Sequence, residues 1–233
     1  MDLLIVLAQT GSDSITLGGN KISFQPSVKY LGVKLDQTLS MEDHISSVCH
    51  ACFLQLRRIS SVRPFLSKDA VVKLVTSTVI SRLDYCNSTL AAISSDQIAR
   101  LQRVQNCAAC LVLQKRKRDH VTPLLRELHW LPVIARCQYK VAVLAYRHFD
   151  GSLAPYLSST IKERKPNRTL RSSEQKFLDT QKIPNLKSVG ERVFSFVAPT
   201  LWNSLPMSLR HSSSLSIFKS DLKTYLFKQH LSE

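Results

Sequence analysis

The residues best suited to chemistry in this chain carry positive charge or sulfur. Lys115-Arg116-Lys117-Arg118 is a run of four cations directly after an apolar helical pattern. Such a block attracts phosphate backbones by displacing condensed counterions, with no demand on base sequence. The plainer reading is a solvated helix end, where cations offset the negative pole of the helix dipole. Cys49/Cys52 and Cys107/Cys110 form two Cys-x-x-Cys pairs. Paired thiolates can hold zinc, but strong zinc patterns place the pairs on turns about 15–20 residues apart. Here 54 residues intervene and both pairs fall on apolar helical stripes, so these cysteines read as small buried hydrophobes.

Other chemistry finds little footing. Two-metal nucleotidyl transfer needs clustered carboxylates. The 17 acids include no Asp-Asp pair, and Asp84 and Asp221 stand isolated and read as structural. No Gly-x-Ser-x-Gly elbow and no phosphate-cradling glycine loop occurs. His129-Trp130 is able to stack a base beside cations. Its setting in Leu-His-Trp-Leu-Pro-Val favours a core plug instead.

Charge points to a polyanion. The net charge is +15, and residues 101–171 hold 14 Lys/Arg against 4 Asp/Glu. Lys115, Arg116, Lys117, Arg118, Arg126 and Arg136 are the candidate backbone contacts. A membrane surface is the weaker partner, because no helix sets one cationic face against bulky apolar residues. Nothing approaches the roughly 18 apolar residues of a membrane span.

These residues need a scaffold, and the expected one is mainly α, a helical bundle with a small N-terminal β-hairpin or sheet. Residues 1–9 read as a strand and not as a signal peptide, since Asp2 replaces a basic flank. The expected location is therefore intracellular, nuclear or cytoplasmic, with reduced thiols. Ile15 to Phe24 reads as a hairpin around Gly18-Gly19, and Val28–Asp36 as a third strand.

Helical stripes follow. Ile45, Val48, Cys49, Cys52, Phe53, Leu56 and Ile59 define the first; Val71, Leu74, Val75, Val79 and Leu83, capped by Ser67, the second. Ser94 with Gln97 gives a capping box for the third, which carries Ile98, Leu101, Val104, Ala108, Leu111 and Val112. Thr122-Pro123 marks a short helix, and Pro132 opens another with Ile134, Cys137, Val141, Leu144, Ala145 and His148 inward. The expected division is 1–38, a β segment; 39–115, a three-helix bundle; 116–160, a basic helical extension; 161–189, a basic linker; and 190–233, a C-terminal segment with an end helix.

Taken in order, VKYLGVKLD, LDYCN, LQRVQNCAA, HVTPLLRELHWLPVIAR, LRSS, GERVFSFVAPTLWNSLP and FKSDLKTYLF resemble the carboxy-terminal third of the reverse transcriptase of non-LTR retrotransposons, the jockey-type LINE elements. The likeness runs over about residues 28–228. It implies that Tyr30-Leu31-Gly32 follows the palm near the primer grip, that 1–38 is a palm remnant, and that the helices are thumb and extension. Such thumbs contact template and primer backbones. The family's Tyr-x-Asp-Asp motif and further catalytic aspartate, which bind magnesium, have no counterpart among these residues, so no catalytic residue is carried over. Cys110 stands where the family favours Arg.

The resemblance thus implies a truncated RNA-directed DNA polymerase fragment, inactive alone and without its own cofactor, whose partners are the template–primer backbone and a palm and fingers domain. The alternative is a domesticated helical interaction domain with no nucleic-acid role.

Overall fold

The computed structural model describes residues 14–23, 25–116, 118–164, 176–180 and 194–231. The opening strand expected over 1–9 lies outside them. The chain is mainly helical, with two small antiparallel hairpins at its amino-terminal side.

The first hairpin pairs β1 (Ser14–Leu17) with β2 (Asn20–Ser23) across Gly18 and Gly19, both at positive φ. Two-residue turns of this kind need left-handed residues at both central positions. The expected third strand is instead a second hairpin, β3 (Ser27–Tyr30) with β4 (Val33–Asp36). Leu31 and Gly32 form its turn at φ 46° and 85°, and the Tyr85 hydroxyl donates to the Leu31 carbonyl at 2.5 Å. A long-range contact supports a conformation that Leu alone disfavours.

β4 leads to the bundle through a strained link. Leu39 and Met41 both take positive φ. The Asp36 carboxylate holds this link by accepting from the Thr38 N–H at 3.1 Å and hydroxyl at 2.7 Å. It also accepts from the Ser40 N–H at 2.8 Å and hydroxyl at 3.0 Å, and from the Met41 N–H at 2.8 Å. Burial pushes its pKa up, but these hydrogen bonds outweigh burial and hold it at about 2.

Helix α1 (Glu42–Val62) buries Ile45, Cys49, Cys52, Leu56 and Ile59, whereas Phe53 points to solvent. Ser67 caps α2 (Lys68–Val75) by accepting from the Ala70 N–H. The chain continues through a π turn (Thr76–Ile80) into α3 (Ser81–Asp84). Val71, Val75, Val79 and Leu83 recur every fourth residue along the buried seam. A 3.6-residue helix would drift off that seam. The wider π turn absorbs the drift; Leu74, upstream of it in α2, is exposed, against expectation.

Helix α4 (Ser95–Leu113) begins with both bonds of the Ser94/Gln97 capping box. Gln97 also donates to the Ser40 carbonyl, and Arg100 to the Ser46 hydroxyl. The amino ends of α1 and α4 therefore lie together, the two helices run parallel, and α2–α3 returns between them.

Helix α5 (Val121–Glu127) starts before the expected Thr122-Pro123, which places Pro123 third in the helix. The N–H missing from proline is unpaired there in any helix. Pro132 precedes α6 (Val133–Phe149), then come α7 (Pro155–Ser158), α8 (Phe194–Ser204), α9 (Met207–Arg210) and α10 (Leu215–Leu231).

Two apolar clusters result. The first joins β4 and α1–α5; the second joins α6 and α8–α10 around Trp202, Phe218, Leu222 and Leu226. Tyr146 stacks on Phe218 at 4.5 Å and Phe149 on Trp202 at 5.1 Å. α6 serves both clusters, giving Val133 and Cys137 to the first and Ala135, Val141, Ala142 and Ala145 to the second. It is therefore buried on more sides than the single inward face expected for it; Ile134, Leu144 and His148 are only half-buried.

The stretch read as a linker is partly anchored. Leu178 is fully buried, and the Asn203 amide pairs with both its N–H and its carbonyl. The Trp202 indole donates to the Lys176 carbonyl, and the Arg210 guanidinium lies 4.1 Å over the Phe177 ring. Backbone pairing joins it to residues 162–164 as well: the Arg164 N–H donates to the Phe177 carbonyl at 2.9 Å and the Asp179 N–H to the Lys162 carbonyl at 2.8 Å.

Asp36→Asn is expected to cost about 1–2 kcal/mol in urea unfolding at pH 7, after discounting for partial exposure. A carboxyl whose folded pKa is lowered stabilises above its ordinary range, and that stabilisation disappears as pH falls towards 2. The gap between the two proteins should close over that window; a gap independent of pH contradicts the assignment.

Candidate nucleic-acid interface

The basic run sits at the carboxy end of α4. Gln114 takes the left-handed conformation, and the N–H of Lys115 returns to the Cys110 carbonyl at 2.9 Å. Asp119 folds the loop back: its carboxylate accepts from the Arg116 N–H at 2.9 Å, and its own N–H donates to the Arg116 carbonyl at 3.1 Å. Lys115, Arg116 and Arg118 are exposed. Lys117 lies outside the described residues.

The end of α4 is closed from elsewhere. Arg63, just past α1, donates through Nε to the Leu111 carbonyl at 3.3 Å and through Nη2 to the Val112 carbonyl at 3.1 Å. Its Nη1 holds the Leu66 carbonyl at 2.9 Å. Two carbonyls that a terminal cation would otherwise cap are therefore taken. The side chains of Lys115, Arg116 and Arg118 make no hydrogen bond or ion pair among the described residues.

This pole gathers further charge. α1 and α4 both end here, so their dipoles favour cations. Exposed Arg57 and Arg58 lie on the last turns of α1. Lys68 is matched by Glu127 at 2.6 Å and Lys73 by Asp69 at 2.8 Å. Phe65, on the 3-10 turn Arg63–Phe65, is 87% exposed. Sequence reading missed it, because an apolar residue beside Pro64 looks like an ordinary helix stop.

The other two candidate cations do structural work. Arg136 on α6 donates from Nε to Asp84 Oδ1 at 2.6 Å and from Nη2 to Asp84 Oδ2, a two-pronged pair that is largely buried on the Arg136 side. Asp84 is thereby structural, as its isolation suggested. Arg126 donates from Nε to the Leu231 carbonyl at 2.6 Å and also from Nη2, so it fixes the end of α10. The structure thus removes both from the set of free cations.

Nearby polar side chains also serve the fold. Gln102 on α4 accepts from the Val133 N–H at 2.9 Å, and buried Gln105 donates to the Leu131 carbonyl at 2.8 Å. They pin the entry to α6. Trp130 is buried in the first cluster and is a plug, not a free stacking surface.

Cys49, Cys52 and Cys110 are buried and Cys107 half-buried. Burial, the largest influence, drives the Cys52 thiol up to about 11 and the Cys137 thiol up to about 12. Thiols so shifted remain protonated at neutral pH. No described helix is long and apolar enough to cross a membrane.

Comparison with protein-family models, with curated proteins and with solved structures finds no match for this chain.

Arg136→Met and Asp84→Asn should each destabilise the fold, and a double-mutant cycle in urea should give a coupling of about 1–2 kcal/mol. Replacing Lys115, Arg116 and Arg118 by Gln should change stability by less than about 0.5 kcal/mol each. The reverse order would show that the loop cations, and not Arg136, belong to the fold.

Proposed function

We propose that this chain grips the phosphate backbone of a nucleic acid through the pole formed by α1, α4 and the 3-10 turn. Lys115, Arg116 and Arg118 supply the contacts. The observation that carries the reading is their lack of internal partners at a helix end that Arg63 already closes. Cations released from structural duty remain available to bind phosphate, and each contact liberates counterions.

In the wider reading, the unit is the thumb and extension of a reverse transcriptase of the non-LTR retrotransposon kind, a fragment that holds template and primer while a palm and fingers carry out RNA-directed DNA synthesis with magnesium. The ordered motifs over residues 28–228 support this. So does the β3–β4 hairpin, whose exposed Val28, Tyr30 and Leu31 offer an apolar edge to a protein partner.

Fluorescence anisotropy with an RNA–DNA duplex tests the backbone reading. The logarithm of affinity should fall linearly with the logarithm of salt, by about 0.9 per phosphate contact. Substituting Gln at Lys115, Arg116 and Arg118 together should flatten that slope by about 2–3. An unchanged slope contradicts the assignment of these three residues.

A further inference from the structure

We propose that Phe65 is a stacking platform for one base of a single-stranded nucleic acid whose phosphates lie on Lys115, Arg116 and Arg118. The inference rests on the backbone reading and goes beyond it, because it selects single strands over duplex. Phe65 is the most exposed of the large apolar side chains described. It joins no ring pair among the described residues. An isolated surface phenylalanine is unremarkable by itself. Its setting is what distinguishes this one.

The backbone that carries the ring is held from both sides. Pro64 fixes the backbone φ before it. The Leu66 N–H closes the turn on the Arg63 carbonyl at 3.2 Å, and Arg63 ties the turn to the last carbonyls of α4. Those carbonyls lie only a few residues before Lys115. The exposed ring therefore lies at the same end of the bundle as three unpartnered cations, with exposed Arg57 and Arg58 on the last turns of α1. Val62 and Pro64, its neighbours in the chain, are exposed as well.

A small apolar spot at a positively charged end of the bundle suits a ligand that is flat and apolar on one part and anionic on the next. A nucleotide in a single strand has that chemistry. In a closed duplex the base faces are stacked on one another and only phosphates reach the protein. Stacking is tolerant of sequence, because every base offers a π face.

The test uses the full chain and two labelled probes: a mixed-sequence single strand of about 12 nucleotides, long enough for one such site, and a duplex closed at both ends by non-nucleotide linkers. Phe65→Ala is expected to weaken single-strand binding about 5- to 100-fold, the range of one lost base stack, and to leave duplex binding and the melting temperature unchanged. Phe65→Trp should retain binding, and its emission should be quenched by the single strand, since Trp130 and Trp202 are buried. If Phe65→Ala binds single strands like the parent while neutralising Lys115, Arg116 and Arg118 still abolishes binding, the stacking inference fails and the backbone reading stands. Equal loss on both probes overturns it as well. If the parent chain binds neither probe, both readings fall.

Discussion

One guanidinium decides what the basic loop is free to do. Arg63 hydrogen-bonds the Leu111 and Val112 carbonyls of α4 and the Leu66 carbonyl at once, so two carbonyls that would otherwise recruit Lys115 or Arg116 are already taken. The consequence is a division of labour among cations. Arg63, Arg126 and Arg136 are bound to carbonyls or a carboxylate, while the loop cations face water. Buried polar groups demand partners, so charge that is drawn into the fold cannot serve a ligand.

The same rule explains how the two apolar clusters are joined. α6 enters the first cluster and runs into the second, and its start is pinned by Gln102, Gln105 and the Asp84–Arg136 pair. Further on, Asn203 and Trp202 hold the segment around Leu178, and Arg126 holds the end of α10. Many of these clasps fall in the motifs on which the proposed retrotransposon reading rests. Tyr85 from LDYCN even reaches the Leu31-Gly32 turn of VKYLGVKLD.

What the sequence revealed was local. The capping box at Ser94, the Gly18-Gly19 turn and the stripes of α1 and α4 each depend on residues within a few positions of one another, and each is present, save that Phe53 of the α1 stripe is exposed. The β3–β4 turn was hidden because Leu31 is an unusual turn residue, stabilised by a tyrosine 54 positions away. The partners of Arg136 and Arg126 lie 52 and 105 positions distant, so in the sequence these arginines look like Lys115 or Arg118. Candidate cations can be found from composition; which of them are free depends on tertiary contacts. Phe65 shows the converse, an apolar residue whose exposure no periodicity predicts.

The central claim is that the pole closed by Arg63 is the surface that meets nucleic acid. Amide chemical shifts of the isotope-labelled 233-residue chain, followed during titration with a short oligonucleotide at low salt, test it most directly. The account predicts that the largest changes fall on residues 57–68 and 114–119, with little change around Arg126 and Arg136. Changes centred on the hairpins or on the α6–α10 side, with that pole silent, would contradict it.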